Sequence, residues 1–353
     1  MCCGLLSCKK YNDEDVGVIE RGLLKGMNIQ CIGRYSIGFP DTFVVGESPE
    51  AEFYYGLGAD FEKVNAVIVD RNSSRERFES RVAGRVAAIS ASMNEASGSS
   101  MLVMDKEIRS GERLIRYFDN KLSDQYHKHE VHLRLNNVHV MLSADSYKGV
   151  IQPVEARLLD IAERITLRGD GEQRTEKGFC LGPLVIDTDS DHEVLVKEQL
   201  VDQKHPDVKF DFFMSAVTPD EDESLSAQIT RESAVLSSKP DMLKKGSIGI
   251  GGMNGEQVLM RFDEDGLIMH SFRARSLRKD PSLTRPSISI SLETGGDVSS
   301  RSSHDLLAYG EDGALPDGDS PRTVSSSLSD EEAIALWDAV IRSIRPRRSE
   351  TSN

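Results

Sequence analysis

The sequence has no long apolar run: nothing in its 353 residues approaches the roughly 18 consecutive apolar positions that a membrane-spanning helix requires. It is also short of positive charge. With 43 Lys and Arg against 58 Asp and Glu, the net charge is −15. That balance argues against nucleic acid, whose binders concentrate Lys and Arg on one face, and against broad attraction to an anionic membrane surface. An acidic surface favours capture of a basic partner, although acidity is chiefly a solubility device. The Gly-x-Ser-x-Gly nucleophile elbow of hydrolases is absent. What remains, 38% apolar and 29% charged residues, is the composition of a folded soluble protein, and the length suggests two or three domains.

Cysteine is scarce and unevenly placed. Cys2, Cys3 and Cys8 crowd the start, whereas Cys31 and Cys180 stand far apart. The opening "MCCGLLSCKK" has no basic leader and no full apolar core, so it is not a complete secretory signal. Leu5-Leu6-Ser7-Cys8 nevertheless has the small-residue-then-cysteine pattern of lipoprotein cleavage sites, with Cys8 as the residue that would carry lipid. The opposing reading is a short disordered end with incidental thiols.

The chain reads as two related halves. "GERLIRYFD" from Gly111 returns as "GEQVLMRFD" from Gly255, so Glu112 answers Glu256. "CIGRYSIGF" from Cys31 answers "CLGPLVIDT" from Cys180, and "PVEARLLDIAERI" answers "DEEAIALWDAVIRSI", with Asp160 and Arg164 matching Asp338 and Arg342. The excess spacing in the second half falls on residues 294–327, a Gly-, Ser- and Asp-rich segment expected to be a mobile loop because it cannot bury enough surface to offset its ordering entropy.

Helical spacing predicts four helices. The last has Ala333, Trp337, Val340, Ile341 and Ile344 on one face, a capping box at Ser329 and Glu332, and Arg345, Arg347 and Arg348 complementing the dipole at its end. Its counterpart starts at Pro153 and aligns Val154, Leu158, Ile161, Ala162 and Ile165. A third runs from Arg75 to about Ala91, with Phe78, Val82, Val86 and Ile89 inward, and a fourth covers Ser224–Leu236. Strand alternation at Val131, Leu133 and Leu135 slips phase at Asn136-Asn137 before Val138, Val140 and Leu142, which fits a hairpin turn or bulge. "SISISL" at 287–292 alternates likewise. The fold class is therefore α+β, with two lobes of mostly antiparallel sheet backed by helices. The expected divisions are a flexible segment 1–27, domains 28–170 and 171–347, and a tail 348–353.

Candidate chemistry is thin. His127, His129, His132 and His139 are the densest potential metal ligands, but no cysteine or carboxylate pattern completes a four-ligand site, and they are expected on an exposed sheet face. "GIGGMNG" fails as a dinucleotide fingerprint because Asn254 takes the sixth position and a strand follows; it reads as a turn into the Gly-Glu strand. Cys31 and Cys180 occur at matching places, which argues against a single nucleophile. Each packs as a small apolar residue, or the two pair in an oxidising compartment; spacing alone does not decide. Glu112 and Glu256 suit a structural hydrogen bond in each copy. No catalytic constellation, cofactor motif or metal site emerges.

Four ordered blocks of the second half, "KGFCLGPLVI", "GGMNGEQVLMRFDEDGLIMHSFRA", "RPSISISLETG" and "LSDEEAIALWDAVIRSIRPR", resemble the C-terminal domain of immunity proteins that neutralise type VI secretion lipase effectors. "QCIGRYSIGFP" and "ERITLRG" are similar to the N-terminal domain of that family. The residues that carry the resemblance are Cys31, Gly33, Arg34, Gly178, Phe179, Cys180, Gly255, Glu256, Trp337, Asp338 and Arg342. It implies a periplasmic, non-enzymatic protein of a Gram-negative bacterium that binds a phospholipase effector and protects the producing cell and its kin. It assigns no inhibitory contact to any position. The other class of reading is a lipid-anchored envelope protein with a structural or ligand-binding role.

Overall fold

A computed structural model describes residues 26–46, 48–56, 63–168, 178–217, 223–233, 239–276, 280–298 and 322–347. The first half begins with a hairpin, β1 (Asn28–Ile32) and β2 (Tyr35–Phe39), closed around Gly33 at φ 55°. Then come β3 (Glu50–Tyr54), β4 (Lys63–Asp70), α1 (Arg75–Ala91), β5 (Leu102–Arg109), β6 (Glu112–Phe118), β7 (Tyr126–Leu135), β8 (Val138–Tyr147), α2 (Ile151–Glu163) and β9 (Ile165–Leu167). The second half runs in the same order: β10 (Phe179–Leu181), β11 (Leu184–Ile186), β12 (His192–Asp202), β13 (Lys209–Ser215), α3 (Leu225–Ser233), β14 (Asp241–Ile250), β15 (Met253–Glu264), β16 (Leu267–Ser276), β17 (Ser287–Thr294), α4 (Asp330–Ser343) and β18 (Arg345–Pro346).

The strand order repeats as well. The first half is arranged β3-β4-β8-β7-β6-β5 and the second β12-β13-β17-β16-β15-β14. Each half places its helices after its second and sixth sheet strands. The two arrays are not separate lobes around a cleft. Their first strands, β3 and β12, pair antiparallel, with Phe53 opposite Glu193 and Ala51 opposite Leu195. One continuous sheet of 13 strands results, including a short strand at Phe43–Val45 against β12. The small sheets exchange strands: β9, the last strand of the first half, pairs with β11 of the second, and β18, the last strand among the described residues, pairs with β2 of the first.

The local reasons for these elements are visible in the side chains. Ser74 caps α1 by accepting from the Arg77 amide, and Phe78, Val82 and Ile89 are buried on one face, one turn and then two turns apart. Ser329 and Glu332 form the expected capping box on α4. Helix α2 starts at Ile151, so Pro153 sits in its first turn, where a missing amide proton costs nothing. Strands β14 and β15 turn through Gly251 and Gly252 at φ 56° and 82°, a two-residue hairpin connection that glycine allows. Asn136, at φ 54°, opens the two-residue turn between β7 and β8, and the ladder from β8 to β4 shifts register at His139.

One core joins the halves. On one face of the large sheet, α2 and α4 pack with both hairpins over Leu114, Leu133, Phe210, Leu259 and Phe272. The opposite face is covered at each end by α1, over Ile115 and Phe118, and by α3, over Val258 and Met260. Neighbouring residues such as Leu114 and Ile115 thus both leave water, on opposite faces.

Three expectations need correction. The histidines are not on an exposed face: His127, His129, His132 and His139 are all buried, because α1 and α2 cover both sides of β7 and β8. The segment 294–327 is built at both ends. Thr294 completes β17, residues 296–298 pair with 322–324, and buried Asp207 accepts from the Gly295 and Ser327 amides at 3.1 and 2.9 Å. Acceptors fixed elsewhere in the fold supply what the polar composition lacks. Residues 299–321 lie outside the described residues, as do Cys8 with 1–25, the connector 169–177, the helix end 234–238 and the tail 348–353. Finally, Arg347 does not complement the α4 dipole. Arg345 does, donating to the Arg342 and Ile344 carbonyls, while Arg347 crosses to the start of the second half.

Candidate functional site

Six of the eleven resemblance residues meet where the halves join. Cys31 and Cys180 form a disulfide with Cα atoms 5.7 Å apart, buried with Val185. Gly33 lies beside it and exchanges two backbone hydrogen bonds with Cys180, 2.9 Å each. Arg34 reaches Glu193 of β12 with two hydrogen bonds, Nε to Oε2 at 2.7 Å and Nη2 to Oε1 at 2.6 Å. Phe179 packs edge-on against Phe53 at 5.3 Å, and Gly178 accepts from Arg347 at 3.0 Å. The same Arg347 guanidinium lies 3.1 Å from the Cys180 sulfur. On the matching side, Arg168 donates to the Cys31 carbonyl and to Gln30. Each half therefore closes with an arginine that reaches back to the start of its own first hairpin, at the junction with the other half.

The other five residues hold the second half together. A Cβ on Gly255 would meet the Arg275 carbonyl at 2.6 Å, so only glycine fits. Glu256 accepts from the Leu225 amide at the start of α3 and from Arg275 Nε at 2.9 Å. Its counterpart Glu112 accepts from the Arg134 amide, at 3.3 Å. Trp337 is fully buried, stacks on Phe210 and donates to Gln257 at 3.0 Å. Asp338 takes Lys244 at 2.9 Å and Arg342 at 3.1 Å. These three line an open pocket of about 540 Å³ beside the Gly251-Gly252 turn. Its polar groups are engaged with one another.

The most perturbed titratable groups are internal. Burial alone would raise the Glu130 carboxyl, but hydrogen bonds from His132 and Arg85 hold it well below the usual range. Tyr117 completes this network, donating to Glu130 at 2.7 Å, and His132 continues it to His139 at 3.0 Å. Burial pushes His129 down to about 4 and His139 to about 3. Glu198, buried near Arg168 and Arg71, is raised to about 8 by desolvation. Such groups would mark a reactive site if they lined a cleft; these are sealed under helices and hairpins. Among the described residues no cluster of three or more His, Cys, Asp or Glu could hold a metal ion.

Exposed apolar side chains are the surface feature that sequence reasoning missed. Leu122 is 77% exposed, Met93 55%, Tyr126 48% and Tyr147 44%, and Tyr126 faces Tyr147 across β7 and β8. Met93 and Leu122 lie on segments joined by hydrogen bonds from Asn94 and Glu95 to residues 120–123, a contact that no periodicity encodes.

The likenesses to known proteins agree with this architecture. The family model for the Tle cognate immunity protein 4 C-terminal domain matches residues 172–349. The chain belongs to this family. No curated protein sequence matches it. Among solved structures, the apo immunity protein TplEi of the T6SS from Pseudomonas aeruginosa is 18% identical and covers 93% of this chain and 99% of its own, with a TM-score of 0.64. The Tle4-Tli4 complex yields a match at 20% identity, 92% and 98% coverage and a TM-score of 0.64. TplEi complexed with "L" peptide aligns at 19% identity, 92% and 100% coverage and a TM-score of 0.57. At these identities the structures establish a shared fold, which extends over both halves. The fold class, α+β with mainly antiparallel sheet, agrees with the sequence reading.

Proposed function

We propose that this chain is the immunity partner of a type VI secretion Tle phospholipase, which it binds and inhibits so that the producing cell and its siblings survive. The observation that carries this reading is the family match over residues 172–349, together with a fold shared along more than nine-tenths of the chain with immunity proteins, one of them from a complex with Tle4. The activity is read as binding and not turnover, because the groups with perturbed acidity are buried inside the fold and line no cleft. Periplasmic action is supported by the buried Cys31–Cys180 disulfide, since such bonds persist in oxidising compartments. The repeated strand order supports descent of the two halves from one duplicated unit.

The mechanism is that of a rigid platform. The sheet is continuous through β3 and β12, and the disulfide and Arg34–Glu193 reinforce the same line, so the halves do not hinge like jaws. A preorganised surface loses little entropy on association and dissociates slowly, as steady protection demands. Covering the lipase's apolar mouth, or pinning its lid, would then block access to membrane. The test is co-expression: an effector directed to the periplasm should kill cells that lack this chain and spare those that export it. Equal killing in both sinks the proposal.

A further inference from the structure

We propose that the first half carries the anchor for the effector, an exposed apolar surface formed by Met93, Leu122, Tyr126 and Tyr147; this rests on the immunity reading above. The internal repeat supplies a control for what the scaffold needs. At the matching corner of the second half, the ladder between β15 and β16 continues past Phe262 opposite Met269 and turns in two residues, Asp265 and Gly266. In the first half the regular ladder stops at Phe118 opposite His127, and residues 119–125 leave it as a loop. A second addition meets that loop. Between α1 and β5 the chain makes a small hairpin, Met93–Asn94 pairing with Ser99–Ser100, which has no counterpart among the described residues of the second half.

Asn94 fastens the two additions together. Its side chain is fully buried and donates to the Asn120 carbonyl at 3.0 Å and the Ser123 carbonyl at 2.9 Å, while its Oδ1 accepts from the Ser97 amide at 2.8 Å. The Glu95 amide adds a bond to the Lys121 carbonyl at 2.7 Å. Two hydrogen bonds from the Asn94 amide and the Glu95–Lys121 backbone bond hold the loop, yet the residue it presents, Leu122, is largely in water. A fold does not need a fixed loop to display a leucine; a binding surface does, because a preset anchor avoids the ordering cost of association.

The chemistry of the surroundings selects a protein over a lipid. Lys148 pairs with Asp124 at 2.6 Å, and Lys128 lies 3.4 Å from Asp119 and 3.7 Å from Asp145. Two lysines and three aspartates beside the patch are thus paired within the chain, and the whole molecule carries −15. A membrane-seeking patch of this size would need a cationic rim. The occupant that fits is an apolar, weakly charged surface on the Tle effector, gripped by aliphatic and aromatic contact.

The experiment uses the purified full-length chain and its cognate effector, with affinity read by calorimetry or interferometry. Leu122→Asp should weaken binding by about 30-fold or more, the scale of a central anchor. Met242→Asp, at an exposed methionine on the far edge strand, should leave it unchanged, and both variants should keep the wild-type melting temperature. Wild-type affinity in Leu122→Asp, or equal loss in both variants, overturns the anchor while leaving the immunity reading intact. Absence of wild-type binding overturns the immunity reading and the anchor with it. Phosphatidylethanolamine–phosphatidylglycerol vesicles form the second arm: lipid binding that Leu122→Asp abolishes, with effector affinity retained, reassigns the patch to membrane.

Discussion

Gly33 and Cys180, from opposite halves of the chain, exchange two backbone hydrogen bonds directly beside the disulfide that Cys180 forms with Cys31. The covalent link therefore reinforces a junction that backbone pairing has already set. The disulfide closes a loop of 149 positions, and long loops lose the most unfolded-state entropy on crosslinking.

Replacing both cysteines by serine should lower unfolding free energy by about 3–5 kcal/mol in the chain-entropy view, measured by urea denaturation. Reduction of the wild-type chain should reproduce the shift. No change on reduction would mean that the pairing contributes nothing to stability.

Trp337 is the single tryptophan and is fully buried. Native fluorescence should be blue-shifted and should move to the red in one step with global unfolding. Gln257→Leu leaves the indole N–H without its acceptor and should cost about 1–3 kcal/mol. A loss far below that would show that water reaches the indole.

Acid should weaken the fold before any carboxylate titrates in the unfolded chain. His129 and His139 have folded values pushed down to about 4 and about 3, against about 6.5 when unfolded. Between those limits the unfolded chain binds more protons, so stability falls as pH drops from about 6.5 towards 4. Glu130, held low by His132 and Arg85, extends the loss further into acid. His129→Gln, which keeps a hydrogen-bonding group near Ser146, should flatten part of this slope. An unchanged slope would remove His129 from the account.

Glu198 acts in the opposite direction. Its carboxyl is raised to about 8 by burial, so the folded chain binds the extra proton, and stability declines as pH rises from about 4.5 to 8. Glu198→Gln can still accept from the Gly182 amide. Its stability should therefore exceed wild type at pH 8 by more than at pH 6. An equal difference at both values would contradict the assignment.

What the sequence disclosed was local. Helical periodicity located α1 and α4 because one stripe of each is apolar, and Gly251-Gly252 announced its turn because two positive φ angles in a row favour glycine. The histidines misled because alternation on β7 assumes one wet face, whereas α1 and α2 dry both. The junction of β3 with β12, the Cys31–Cys180 bond and the Asn94 fastening all join residues distant in the chain, and no short pattern records a distant neighbour. Phe53 opposite Glu193 could be learned only from three-dimensional coordinates.

The exchange of terminal strands has a practical outcome. Because β9 completes the second half's small sheet and β18 completes the first's, severing the connector between Arg168 and Gly178 would not yield two independent modules. The pieces would stay clasped, and either piece produced alone would be missing a strand that only its companion supplies. Fragment complementation, in which separately expressed portions regain protective activity when mixed, is the behaviour this architecture dictates.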